Sequence, residues 1–159
     1  MQALLGEIFG LSQSRANRWL QRLVPIVKQA LAELGVWPSR EPEHFAEQER
    51  DHQETAALII DGTDRRRQRP KNPAKQALHY SGKQKTHSDK NVVVVKAKTK
   101  RVGYLSQTSA GKMHDKKIVD TEAIRYPAGT ILYQDTGFQG YAPPVQQTHQ
   151  PQKSRARAR

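Results

Sequence analysis

The chain has 159 residues, 35% of them hydrophobic, and a formal net charge of +12; that is room for one domain, or a small domain with an appendage, around a lean core. Cysteine is absent, which excludes disulfide staples and thiolate metal sites. No apolar run is long enough to span a membrane, and no charged leader with an apolar centre and small-residue cleavage site marks a signal peptide.

The placement of the charge is more informative than its sum. Residues 61–101 carry 13 Lys/Arg against Asp61, Asp64 and Asp89, whereas residues 41–55 carry six acids against Arg50. A basic block of this kind favours a polyanion partner. It lacks the Trp/Phe/Leu face of an interfacial helix, so nucleic acid is expected rather than a membrane surface.

In chain order, Leu4, Leu5, Ile8 and Phe9 share one helical face. Gly10-Leu11-Ser12 breaks that helix, and Ser12 is placed to cap a second one with apolar positions Ala16, Trp19, Leu20 and Leu23. The opposite face carries Gln13, Arg15, Asn17, Arg18 and Arg22. Two short helices about a glycine turn predict a helix-turn-helix whose second helix reads the major groove, and Arg and Asn match guanine and adenine edges. An ordinary helical hairpin with a solvated basic face fits the same pattern. Pro25 ends or kinks the helix, or opens the next, and Gly35 stops it. Residues 1–35 are therefore the expected DNA-binding segment. Residues 36–55 read as a linker, with Trp19 and Trp37 as core anchors.

Ala56 to Ile60 is a short apolar run rich in β-branched residues, read as a buried strand that delivers Asp61 at its end. The basic run Arg65, Arg66, Arg67 and Arg69 follows at once. A carboxylate can hold a metal cation and arginines can hold phosphate, which is the chemistry of breaking a nucleic-acid backbone. Asp61-Gly62 is also a hairpin signal, with Thr63 to Gln68 returning antiparallel. One helical turn is expected over Ala74–Leu78. The glycine-hinged basic segment Tyr80–His87, with Lys83, Lys85 and His87, then leads into a strand over Asn91–Ala97. Its four valines suggest burial on both faces. Val102–Ser106 reads as a third strand. Asp115 is placed to cap a helix from Lys116 to about Tyr126, and Thr130–Gln134 is a fourth strand ending at Asp135.

If the first and fourth strands lie side by side and parallel, Asp61 and Asp135 emerge at one edge. Paired carboxylates there suit Mg²⁺ or Mn²⁺, although two-metal nucleases usually want a third acid. Phosphate-binding glycine loops and i, i+4 histidine pairs are absent, so neither nucleotide triphosphate nor zinc chemistry is expected.

A set of short motifs extends this reading. Ile60-Asp61-Gly62-Thr63 is followed by Gln68-Arg69-Pro70, then by Tyr80-Ser81-Gly82-Lys83 with Lys85, His87 and Asn91. His114-Asp115-Lys116-Lys117 and Gln134-Asp135-Thr136-Gly137-Phe138-Gln139-Gly140-Tyr141 come next, then Gln150-Pro151 with Lys153. In this order and spacing the chain resembles bacterial insertion-sequence transposases of the DDE superfamily, in the group named after insertion sequence five. Leu5-Gly6 with Phe9-Gly10-Leu11-Ser12 resembles the tail of that group's helix-turn-helix.

The resemblance implies a mixed α/β fold of ribonuclease H type over residues 56–150, preceded by the helix-turn-helix-like segment and followed by a basic tail, 151–159. It implies Asp61 and Asp135 as the first two acids of a metal-binding triad, Mg²⁺ or Mn²⁺ as cofactor, and transposon-end DNA as partner. The expected setting is the bacterial cytoplasm at the nucleoid, with a homo-oligomer left open. The family's third acid, a later glutamate on a helix, has no counterpart here, since no glutamate follows Glu122. The last strand and that helix are expected to be missing. The reading is thus a transposase truncated at its C-terminus and inactive alone, the alternative being a non-enzymatic DNA-binding remnant that competes for transposon ends.

Overall fold

The computed structural model describes residues 2–48 and 57–152. Residues 49–55 of the expected linker, Ala56 at the start of the expected strand, and 153–159 of the basic tail lie outside the described residues. The chain divides into two units, Met1–Trp37 and Pro38–Arg159.

The first unit packs α1 (Gln2–Ile8) on α2 (Gln13–Glu33). Gly10 makes the turn at φ +61°, a backbone state that glycine adopts without steric cost. A Cβ on Gly6 would lie 2.5 Å from the Leu11 carbonyl oxygen, so a side chain there would push the turn off the helix. Ser12 caps α2 as expected, its Oγ accepting from the Arg15 amide at 3.3 Å. Pro25 neither ends nor restarts the helix; α2 runs through it for 21 residues. Trp19, expected in a core, is 48% exposed, and Ala16 is the buried residue of α2. Among its described residues the unit has two helices and no third to support them.

The second unit is built on a mixed sheet. β1 (Ala57–Arg66) lies at its centre, antiparallel to β3 (Thr86–Lys96) and parallel to β6 (Ile131–Gln134). β4 (Val102–Leu105) and β5 (Ser109–Ala110) pair antiparallel with β3, as does the short β2 (Tyr80–Ser81), which follows α4 (Pro73–His79). β7 (Gln147–His149) pairs parallel with β6. The order β4-β3-β1-β6-β7 has three antiparallel strands, then two parallel to the first. That is a mixed α/β architecture compatible with a ribonuclease H-like fold.

Three expectations need correction. The last strand is present: Ile131, Leu132 and Tyr133 of β6 pair with Gln147, Thr148 and His149. Its three residues are polar and exposed, so it carries no hydrophobic signature and is held by backbone hydrogen bonds. Asp61-Gly62 is not a hairpin corner; β1 continues to Arg66, with Asp61↔Val93 and Gly62↔Val92 in unbroken register. The four valines of β3 are not buried equally. Val92 and Val94 are fully buried, while Val93 and Val95 are half-buried, because strand alternation sends them to the opposite face.

One face of the sheet carries the core. Leu58 and Ile60 of β1, Val92 and Val94 of β3 and Leu132 of β6 pack with Ile118 and Val119 of α5 (Asp115–Glu122). Phe45 of α3 (Phe45–Gln48) is fully buried although it falls in the stretch read as a linker; its ring meets Tyr104 at 5.8 Å and Tyr126 at 6.2 Å. Helix α5 stops at Glu122, earlier than expected, because Ala123 takes a left-handed conformation, φ 50°. The Tyr104 hydroxyl donates to Glu122, and burial together with that carboxylate pushes its pKa well up, so it stays a donor.

Leu132 is fully buried where β6 meets α5. Truncation to alanine should cost about 2–5 kcal/mol, the range for a large-to-small core change, read as a lower urea midpoint at unchanged m-value. A loss below about 0.5 kcal/mol, the level of a surface substitution, would show that this position is not packed.

Candidate metal centre

The site begins with the pairing of β1 and β6. Their register ends at Ile60↔Gln134. β6 stops there and the chain turns into a single 3-10 turn, Thr136–Phe138, while β1 continues. Parallel strands leave equivalent residues side by side, so the next position on each chain is an aspartate: Asp61 and Asp135 lie at the point where the strands part. Both line one open cavity of about 580 Å³, together with Ile59, Tyr133, His149 and Gln150.

Each acid is oriented by its own backbone. Asp61 Oδ1 accepts from the Gly62 amide at 2.7 Å, and Asp135 Oδ1 accepts from the Thr136 amide at 2.6 Å. Gln150 Nε2 donates to the Asp135 carbonyl at 2.8 Å, tying the chain after β7 to this turn. Among the described residues neither Oδ2 forms a hydrogen bond or ion pair, so both remain available. Two exposed, oxygen-only ligands at one rim fit a hard divalent cation such as Mg²⁺ or Mn²⁺. Among the described residues no group of three or more acids, histidines or cysteines is gathered to hold a metal.

An ionic cluster of one buried cation and two half-buried carboxylates lies behind this rim, on the core face. Lys90 is 7% exposed. Its Nζ donates to the Met113 carbonyl at 3.1 Å and sits 3.1 Å from Asp115 Oδ1 and 4.0 Å from Asp64 Oδ2. The approach to Asp115 is off the hydrogen-bond direction, which leaves Oδ1 buried and held by charge alone. Ser88 Oγ donates to Asp64 Oδ1 at 3.0 Å. Asp115 was expected as a helix cap. His114 instead occupies the N-cap of α5, without a side-chain capping bond, and the Asp115 carboxylate turns to Lys90. It fills the space a side chain would need at Gly62 and Gly137: a Cβ would lie 2.6 Å from its Oδ1 at the first and 3.0 Å from its Oδ2 at the second. One carboxylate thus packs against the residue after Asp61 and the residue two after Asp135. Sequence reading missed Lys90 and Asp64 here. The paired glycines were the available signal, but they name no partner.

A family model described as DDE superfamily endonuclease matches residues 60–158, more than half of the chain. The chain belongs to this family. No curated protein matches it, and no solved structure does. The match opens at Ile60, one residue before Asp61, and takes in Asp135. No helix among the described residues is long and apolar enough to cross a membrane.

The basic residues of this DDE-family domain divide between the two faces of the sheet. Arg65 shares the Asp61 face, four residues along β1, or roughly 13 Å at strand rise. Its Nη2 donates to Asn91 Oδ1 at 2.9 Å and Thr108 Oγ1 at 3.4 Å, both neutral, so the guanidinium is held, and among the described residues no carboxylate pairs with it. Arg67 instead pairs with Asp89 at 2.8 Å, and His79 shares that carboxylate. Arg69, Lys83 and His87 line a different cavity, on the α5 side. Arg66 and Lys85 are exposed, and Lys85 turns the β2–β3 hairpin at φ 52°. In the first unit Gln13, Arg15, Arg18 and Arg22 are exposed and Asn17 is half-buried.

Two stability tests follow from the ionic cluster. Lys90→Met leaves two carboxylates without their cation and should cost about 3–5 kcal/mol. Gly62→Ala forces a methyl group onto the Asp115 carboxylate and should cost about 1–3 kcal/mol. Both are read from urea unfolding. A Gly62→Ala protein as stable as the parent would mean that Asp115 does not occupy that space.

Proposed function

We propose that the chain is a DNA-processing protein of the transposase kind, whose Asp61 and Asp135 hold a divalent cation against the scissile phosphate. The observation that carries this reading is the adjacency of the two carboxylates at the parting of two parallel strands, each with a free oxygen. The family match supports a nuclease, and the basic excess supports DNA as its partner. The finer assignment, an insertion-sequence transposase of the group named after insertion sequence five acting at transposon ends, rests on the motif resemblance.

In this mechanism Asp61 and Asp135 would be the protein's ligands to Mg²⁺ or Mn²⁺. When bound, such an ion activates water and stabilises the leaving oxygen of an in-line displacement. The backbone amides of Gly62 and Thr136 fix one oxygen of each carboxylate and so aim the other. Arg65, pinned by Asn91 and Thr108 on the same face, would hold a phosphate further along the strand. Arg66, Lys85 and the polar face of α2, through Gln13, Arg15, Asn17, Arg18 and Arg22, would add backbone and groove contacts.

Among the described residues two acids stand at this rim, and strand cleavage in this family's manner calls for a third. The chain tested alone should therefore bind Mn²⁺ weakly, with binding lost in Asp61→Ala and in Asp135→Ala, and should not nick transposon-end DNA. Titration calorimetry and a supercoiled-plasmid assay provide the readouts. Binding unchanged in both variants would remove the metal centre; robust Mg²⁺-dependent nicking, abolished by Asp61→Ala, would overturn inactivity.

A second reading is favoured by Arg65, with which no carboxylate pairs among the described residues: a non-enzymatic module that occupies transposon ends. If it neutralises six to ten phosphates, affinity should fall by about 10³–10⁵ between about 50 and 200 mM salt. A salt-insensitive binding curve would exclude it.

A further inference from the structure

We propose that the basic cavity on the α5 side of the sheet is a binding site for a single-stranded stretch of nucleic acid, separate from the rim of Asp61 and Asp135. This inference rests on the proposed DNA-processing function and adds to it where an unpaired strand is held.

The cavity is open and measures about 900 Å³. That is near the top of the roughly 300–1,000 Å³ of small-molecule sites, and its openness suits a chain passing through better than an enclosed ligand. Its charged groups are strongly one-sided. Arg69, Lys83, Lys90 and Lys112 line it with His87 and His114, against a single carboxylate, Asp115. Asp115 is already matched by Lys90 at 3.1 Å. Among the described residues no carboxylate pairs with Arg69, Lys83 or Lys112. Arg69 is held rather than loose: its Nε and Nη2 both donate to Gln76 Oε1, at 3.1 and 2.9 Å, a neutral partner that orients the guanidinium and leaves its charge intact. An oriented, uncompensated guanidinium beside two free ammonium groups is an arrangement for phosphate.

The wall also offers aromatic surface. Tyr80 is 42% exposed and meets the His87 ring edge-on at 5.5 Å. In a duplex the base faces are covered by their neighbours; in a single strand they are free to stack on such rings. Gly82 lies between Tyr80 and Lys83, and a Cβ there would meet nothing within 4 Å, nor is its φ in the left-handed region. Packing does not require a glycine at that position, whereas close approach of a ligand to the backbone does. Gly137 lines the same cavity, two residues after Asp135. The cavity therefore adjoins the turn that carries the second acid, and a strand held in it leads toward the rim.

The test uses the full chain in EDTA, so that no metal bridges DNA to the acids. The probes are a fluorescent oligothymidylate of about twelve nucleotides, within the footprint of single-strand binders, and a duplex of equal length. The oligothymidylate should bind more tightly than the duplex. Lys83→Gln with Lys112→Gln removes two exposed charges and should weaken its binding about tenfold or more. Tyr80→Ala should weaken it about five- to hundredfold, the range for losing one stacked base, while Tyr80→Phe retains it. Asp61→Asn with Asp135→Asn removes two negative charges and should not weaken it, so failure of the metal centre and failure of this site give different results. Oligothymidylate binding that survives both the double-lysine variant and Tyr80→Ala would overturn the proposal. So would tighter binding of the duplex than of the single strand.

Discussion

The arrangement of this protein depends on one constraint: β1 and β6 run parallel, in register, and part after Ile60 and Gln134. Parallel neighbours bring residues far apart in the chain to the same level, so Asp61 and Asp135 follow the last paired residues side by side and line one cavity. Antiparallel pairing on the other side keeps β1 straight through Asp61. The strand that holds Asp61 is fixed by β3, while its pairing with β6 ends at Ile60. A hairpin at Asp61-Gly62 would have placed that acid on a flexible turn. A central strand instead holds it in the ladder with β3.

The Lys90–Asp115–Asp64 cluster stands beside the parting of these strands. A buried charge pair is a poor source of net stability, because desolvating both partners offsets their attraction. Its value here is geometric. The Asp115 carboxylate stands against Gly62 and Gly137, and larger residues at either position would collide with it. A charged group that tolerates few positions sets spacing better than an apolar one that can slide. The two glycines and the aspartate are thus three parts of one joint, contributed by β1, α5 and the turn after β6.

The distribution of positive charge acquires meaning only on the folded sheet. Along the chain it is one block. In space, alternation sends Arg65 and Arg67 to the face of the acids, while the β2–β3 hairpin and the loop before α5 bring Lys83 and Lys112 to a separate cavity. Neighbouring groups then sort the cations further. Asp89 neutralises Arg67, whereas Asn91 and Gln76 orient Arg65 and Arg69 without cancelling them. A neutral amide partner orients an arginine while leaving its full charge.

Much of the second unit was legible in the residues. β-branched runs marked β1, β3 and β6, because burial on a pleated sheet selects such side chains. Ser12 marked the start of α2, because an orphan amide needs an acceptor. The ordered motifs around Asp61 and Asp135 singled out two residues that line one cavity. Other features left no such trace. β7 is polar and exposed, and backbone pairing does not depend on side-chain type. The unbroken course of β1 through Asp61-Gly62 was decided by β3, whose ladder overrides a local turn preference. Phe45 looked like part of a polar linker until Tyr104 and Tyr126, far along the chain, enclosed it. The redirection of Asp115 from helix cap to spacer was decided by Lys90, because a buried ammonium group needs a counter-charge more than a helix end needs a cap. Local chemistry settles which elements form and which side chains are reactive; pairing between distant strands settles which of those side chains share a site.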